Sequence, residues 1–413
     1  MSGAAAEKQQ TLTSEDLVKR VAALAPKLIE RRAKGVALRR LPDETIADLI
    51  STTALRACMP ARFGGHELAF GTHTDVAMEL AKTCGSTGWV AGIIGSHNWW
   101  LGKYQIEAQH EVWGDNPDAL VAAAFASKPG SKAVPVDGGY VVSGEWMWCS
   151  GVDHCGWCSL MTPVPQPSGP PDMVMVLLKR GDYTVKDVWH VPGMKATGSN
   201  NVLANDVFVP KHRVTRLAEL NNKASPGQKL NDSWIYKLPM LDVFGYSVAG
   251  PTLGCARGAL EGFIGTMTRH AGLDGAKVTD HPTLQARVSE SSAEIDAAQA
   301  LYDTDMAFLR SVAQANRDLP PAEIMRIKRN GSYVATLAKR AASRLIEAMG
   351  ANGVSDTNPV QIAFADTMAG ASHRALNWDI NGVSYGKVLF GAATSAEAEL
   401  LKRQAAAAAA LKT

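Results

Sequence analysis

Apolar residues recur at three- and four-residue steps through "SEDLVKRVAALAPKLIERRAKG" and "DETIADLISTTALRACM", with Ser14 placed to cap the first run. That period buries one stripe of a helix, so residues 1–118 are expected to form an N-terminal helical domain. From about Ala119 the period drops to two. The runs "DALVAAAFA", "GYVVSGEWMWCS", "CSLMTPV", "DMVMVLLK" and "VLANDVFVP" are divided by Gly, Pro and Asp, which predicts a β-domain over 119–232. Asp137-Gly138-Gly139 before Tyr140 is a hairpin turn, because glycine takes positive φ cheaply. Beyond the connector "NNKASPGQKLNDSW" the helical period returns and covers 233–413. There "TLQARVSESSAEIDAAQALYDTDMAFLRSVAQA" carries the stripe of a bundle helix, and Pro251 and Pro282 are expected in first helical turns. The expected fold class is mainly α with a central β-domain.

The chain has 413 residues, enough for two or three domains and a buried cofactor, since one core rarely outgrows about 250–300 residues. Its 42 Lys and Arg against 40 Asp and Glu are scattered, so no stripe for nucleic acid is expected. No apolar run approaches the roughly 18 residues of a membrane span. The start "MSGAAAEKQQTLTSED" lacks the layout of a secretion signal, and a soluble cytoplasmic protein is expected. Six cysteines in a reducing compartment stay as thiols.

The stretch "SGEWMWCSGVDHCGW" concentrates aromatic and reactive side chains. Cys149, His154, Cys155 and Cys158 contain a C-x-x-C, yet a closed zinc site normally draws its pairs from two separated turns, and strand neighbours diverge to opposite faces. No metal is assigned. No helix start follows to lower a thiol pKa, which argues against a redox pair. Alternation places Trp146, Trp148 and Ser150 on one face, the wall of a pocket for a flat ring system. His97, followed by Trp99 and Trp100 in "GSHNWWL", puts an imidazole beside large aromatic surface, a setting suited to a phenol.

The order of helices, β-domain and bundle resembles the acyl-CoA dehydrogenase fold, in which a β-barrel-like middle domain and a C-terminal four-helix bundle hold a flavin. "SKPGS" (127–131) resembles that family's Thr-Glu-Pro turn, "GEWMWCSG" its Trp-Ile-Thr strand, and "GMKATGSNNVLANDVFVPKHRV" its strand ending in Val-Pro. "CGSTGWVAGIIGSHNWWL", "GEWMWCSGVDHCGW" and "DVWHVPGMKATGSNNV" are most similar to one branch, the oxygenase components of two-component flavin-dependent monooxygenases. That branch includes p-hydroxyphenylacetate hydroxylases, secosteroid phenol hydroxylases and dibenzothiophene monooxygenases. The dehydrogenases' base, a glutamate in a Glu-Gly-Thr turn, has no counterpart: "AFADTMAGASHRALNWDING" keeps Asp366, has Ala365 for the arginine, and no glutamate occurs between Gly350 and Ser395.

The resemblance implies roles. His97 orients or deprotonates a substrate hydroxyl, with Trp99 and Trp100 lining the substrate site. Ser150 bonds near the flavin N5 and helps hold a C4a-hydroperoxide, and His373, on a late helix, stabilises that peroxide. Ser127, Trp146, Trp148 and Ser150 contact flavin, while Gly350 and Gly353 meet the flavin of a neighbouring subunit in a homotetramer. With no G-x-G-x-x-G between a strand and a helix, nothing in the chain would bind a nicotinamide, so reduced flavin (FADH2 or FMNH2) would arrive from a separate NAD(P)H:flavin reductase and react with O2. Other readings are an acyl-CoA-type dehydrogenase, a nitrogen- or sulfur-oxidising monooxygenase, and a non-catalytic assembly protein.

Overall fold

The computed structural model describes residues 12–269 and 277–392; the alanine-rich tail lies outside them. Six helices come first: α1 (Ser14–Ala22), α2 (Ala25–Leu38), α3 (Asp43–Ser51), α4 (Thr72–Thr83), α5 (Gly85–Leu101) and α6 (Ile106–Trp113). The first periodic run is two helices rather than one, with Pro26 in the opening turn of α2, where a missing N–H costs nothing. The cap is Thr13, not Ser14. Thr13 and Asp16 bond each other's amides through their side chains, whereas the Ser14 hydroxyl goes to Thr72 at 2.6 Å.

Nine strands follow among the described residues: β1 (Val121–Ala124), β2 (Ala126–Ser127), β3 (Lys132–Val136), β4 (Gly139–Cys149), β5 (Trp157–Val164), β6 (Asp172–Lys179), β7 (Thr184–Lys186), β8 (Asn200–Pro210) and β9 (Val214–Arg216). They make two sheets, ordered β1-β5-β6-β9 and β2-β4-β8-β7, with β3 joined to β4 through the Gly138 hairpin. β1 pairs with β5 alone, so its other edge keeps unpaired backbone groups.

The expected alternation along β4 fails at its end. A register shift separates Trp146 from Cys149, and Trp148 takes φ 62°. The bulge turns the following side chains over: Trp146 is fully buried and donates its indole N–H to the Met161 carbonyl at 2.9 Å, while Trp148 is 60% exposed. Trp146 and Trp148 therefore do not share a face.

The chain then runs through α7 (Leu217–Leu220) and α8 (Met240–Val243) into α9 (Gly245–Met267), α10 (Pro282–Gln314), α11 (Pro321–Ala348), α12 (Pro359–Ala371) and α13 (Trp378–Leu389). Pro282 opens α10 as expected, but Pro251 lies inside α9. Without an N–H it leaves the Ser247 carbonyl unbonded in the helix. Helix α5 crosses there with a glycine: a Cβ on Gly92 would lie 3.0 Å from that carbonyl and 2.9 Å from the Ala77 side chain. This close approach lets α5 be buried over all 17 residues, between α4, α9, α12 and β1. Asp366 ties its start, accepting the Met194 amide at 2.5 Å and the Gly85 amide; burial holds its carboxyl up at about 6.

Candidate active site

His97 lies in α5 with 1% of its surface exposed. Its Nδ1 is 2.7 Å from the Val121 carbonyl, on the free edge of β1. A carbonyl only accepts, so Nδ1 carries the proton and Nε2 is left with a lone pair. Among the described residues Nε2 has no partner. Burial pulls the imidazole down to about 4, which keeps it neutral and able to accept.

His373 has the opposite tautomer. It does not sit on a helix as expected but just beyond α12, capping the 3-10 turn Arg374–Leu376, and its Nδ1 accepts the Ala375 amide at 3.2 Å. The proton must then be on Nε2, which leaves that nitrogen a donor. Burial again draws the ring to about 4. One row of rings joins the two histidines. Trp89, His373, Phe244, Phe125, Trp100 and His97 follow one another with centroid separations of 5.8, 6.0, 5.3, 6.3 and 5.4 Å.

Ser150 joins the same row through Trp89, whose indole N–H donates to its Oγ at 3.1 Å. Behind it lie Ser199 at 2.8 Å and Thr197, 2.7 Å further on. Three hydroxyls share two bonds, so one O–H has no partner within the trio. Leaving it on Thr197 or Ser199, both almost fully buried, would cost about 1–3 kcal/mol. The lower-energy direction runs Thr197 to Ser199 to Ser150 and leaves the Ser150 proton free to donate. Ser199→Ala removes the bond that strengthens this donor, and the affinity of a ligand held by the Ser150 O–H should fall about fivefold, the worth of one bond of about 1 kcal/mol. Unchanged affinity by titration would show that the relay does not matter.

Other predicted residues are placed differently. Trp99 and Trp100 are adjacent, so a helix turns them about 100° apart. Trp100 faces His97, whereas Trp99 packs edge-to-face with Phe70 at 4.6 Å and donates to the Ile235 carbonyl at 2.9 Å, away from the row. Ser127 pairs with Trp146 across β2 and β4 and is half-buried. Gly350 and Gly353 lie in a turn after α11 that packs on α11 and α12. Cys149, His154, Cys155 and Cys158 do not converge as a set: Cys149 and Cys158 meet Sγ to Sγ at 3.3 Å, but Cys155 bonds the Gly151 carbonyl and His154 turns to Arg40 and Asp43. The residues missed from the sequence are Trp89, Phe125, Phe244, Thr197 and Ser199. Trp89 shares a helix with His97, the one signal that pointed to it.

His73, His97 and His373 are all drawn to about 4 by burial, so the unfolded chain binds protons between about pH 4 and 6.5 that the folded chain refuses. Their stability contribution is complete above that window and is lost as pH falls through it. Asp75 and Asp366, raised to about 6 by burial, act the other way over the lower part and offset some of the loss. The urea midpoint should therefore be lower at about pH 5 than at about pH 7.5; a higher midpoint in acid would contradict the burial of the three imidazoles.

Two packed sheets between a helical N-terminal part and a helical bundle are the architecture of the acyl-CoA dehydrogenase fold. Residues 246–378 match the family model for the acyl-CoA dehydrogenase C-terminal domain. The chain is 35% identical over 377 residues to the flavin-dependent monooxygenase oxygenase subunit HsaA of Rhodococcus jostii (strain RHA1), covering 91% of this chain and 98% of that protein. It is 33% identical over 399 residues to the oxygenase component of the FADH(2)-dependent resorcinol hydroxylase of Rhizobium sp. (strain MTP-10005), covering 94% and 97%. The crystal structure of 3-HSA hydroxylase from Rhodococcus sp. RHA1 is similar with TM-score 0.87 at 34% identity, over 92% of this chain and 98% of that one. The chain belongs to the oxygenase subunits of flavin-dependent monooxygenases, enzymes that use reduced flavin and O2.

The residues present fit that cofactor. A bulge holds Trp148 in a left-handed conformation that a non-glycine residue adopts at a cost, and presents its indole outward, where a flat ring would cover it. Ser150, two residues on, supplies the free O–H. Among the described residues no helix is long and apolar enough to cross a membrane, and no group of three or more His, Cys, Asp or Glu could hold a metal ion.

Proposed function

We propose that this oxygenase hydroxylates a small electron-rich aromatic compound, a phenol or an indole. The observation that carries the reading is the pair of opposite tautomers, His97 accepting and His373 donating, at separate points on one aromatic row. Bound reduced flavin supplies an oxygen atom from O2. The lone pair on His97 Nε2 accepts a hydrogen bond from a substrate hydroxyl or ring N–H and draws its proton as the ring is attacked, which raises electron density on that ring. Trp100 and Phe125 flank the substrate ring, and the buried indole N–H of Trp100, unpartnered among the described residues, is a donor for a substrate oxygen. The Nε2–H of His373 and the O–H of Ser150 point donors at the flavin edge, while the surrounding core excludes water. The Rhizobium relative's name specifies a phenol, resorcinol, which supports the substrate class.

A separate NAD(P)H:flavin reductase delivers the reduced flavin, and the enzyme is a cytoplasmic homotetramer with domains 1–118, 119–232 and 233–413. Support for assembly comes from exposed apolar side chains on and beside the bundle: Ile380, Val383, Leu389 and Phe390 at α13, and Val354 next to Gly353. In that assembly Gly350 and Gly353 meet a neighbour's flavin. The dehydrogenase reading loses support because no glutamate occurs between Gly350 and Ser395 to remove an α-proton. The test supplies chemically reduced flavin, isotopically labelled O2 and a panel of phenols and indoles. One labelled oxygen atom in a hydroxylated product is expected; flavin oxidation with no labelled product from any compound overturns the proposal.

A further inference from the structure

Lys103, directly after α5, is a fully buried lysine to which none of the chemistry above gives a role. Its Nζ donates to the Leu220 carbonyl and, at 2.8 Å, to the Leu238 carbonyl, the two ends of the connector between β9 and α9. Among the described residues no carboxylate pairs with it, and burial alone draws it down to about 7. A lysine kept dry with two carbonyls and no counter-charge is costly to hold. The middle of the same connector is fastened to the same turn. The Gly227 amide donates to the Lys103 carbonyl at 3.0 Å, and Asn231 Nδ2 donates to the Gly102 carbonyl at 2.7 Å. Nothing larger than glycine fits at 227, since a Cβ there would lie 2.2 Å from the Gly102 carbonyl.

From Leu238 the chain passes through Pro239 and α8 to Phe244, the ring between Phe125 and His373. The Lys103 Nζ thus links the end of the helix that carries His97 and Trp100 to the segment that carries Phe244. We propose that Lys103 is a positioning residue: it clamps both ends of the 217–239 connector and so fixes the spacing between the His97 and His373 halves of the substrate site. The connector is then a closed wall whose fit to the substrate ring depends on a group that never touches it. The substrate arm of this inference rests on the aromatic hydroxylase reading; the connector arm does not.

Lys103→Met keeps the length of the side chain and removes the donors. Hydrogen exchange followed by mass spectrometry should show opening of 217–239 increased about tenfold, the loss of two hydrogen bonds together worth about 1.4 kcal/mol, while β4 and α5 keep wild-type protection. In the same variant KM for the aromatic substrate should rise about tenfold while the dissociation constant for flavin stays within about twofold. Lys103→Arg, which keeps donors and charge, should recover part of both effects. Gly227→Ala presses the connector off the same turn without touching the lysine and should reproduce the signature if Lys103→Met does not fold. Wild-type exchange in the connector of Lys103→Met overturns the clamp. Faster exchange in the connector with KM unchanged, in either variant, overturns its role in the substrate site. If no aromatic compound is turned over at all, the function proposal fails while the exchange result still judges the clamp.

Discussion

Replacing His97 with alanine should lower the rate of aromatic hydroxylation by about 10²–10⁴-fold, the usual worth of a positioned general base. The expectation follows from one hydrogen bond. Because Nδ1 is committed to the Val121 carbonyl on the open edge of β1, the Nε2 lone pair is fixed in direction and in protonation state. Burial lowers the imidazole to about 4, so the lone pair is free across the neutral range and the acid limb of kcat/KM should lie well below the 6.5 of an exposed histidine. Reduced flavin should still bind and be oxidised by the variant, since Ser150 and His373, which we propose face the flavin, are untouched. Added imidazole, entering the space left by the ring, should restore part of the rate. Wild-type turnover, or a parallel loss of flavin binding, would mean that His97 is a packed core residue only.

Replacing His373 with alanine should divert the reaction rather than stop it. Without the Nε2–H donor at the flavin edge, oxygen transfer should fall by about 10²–10³-fold, a loss like that of an oxyanion-hole donor. Flavin oxidation continues in this variant, so hydrogen peroxide should replace hydroxylated product as the main outcome. His373→Asn keeps an N–H in a similar place and should recover some of the product. The readout is the ratio of product to peroxide per flavin oxidised; a ratio equal to that of the wild type would remove His373 from the chemistry. The two variants therefore differ in kind, one impairing activation of the substrate and the other impairing use of the oxygen.

The three-part architecture was legible because hydrophobic period is a local property: the switch from steps of three and four to steps of two near Ala119 is written in consecutive residues. Motifs singled out the stretches that hold His97 and Ser150, and the structure brings both to one row of rings. What stayed hidden was set by tertiary structure. No pattern in "EWMWCS" announces the bulge that separates Trp146 from Trp148, because register depends on the partner strand β8. The tautomers of His97 and His373 depend on Val121 and Ala375, which the sequence alone does not place. Phe125, Phe244 and Lys103 lie in connections rather than in periodic elements, so the rules that found the helices passed over them. Pro251 was assigned to a first turn because helix starts are where proline is usual, and the crossing of α5 at Gly92 overrode that preference.

The proposed function depends most on the substrate hydroxyl giving its hydrogen to His97 as oxygen is transferred, and a pair of substrates isolates that contact. A phenol and its methyl ether present nearly the same ring, but only the phenol has a proton to give. With reduced flavin and O2 supplied to the wild-type enzyme, the phenol should be hydroxylated while the ether allows flavin oxidation and peroxide release with little product. Equal hydroxylation of the two would contradict the role given to His97 and with it the pairing of the two histidines.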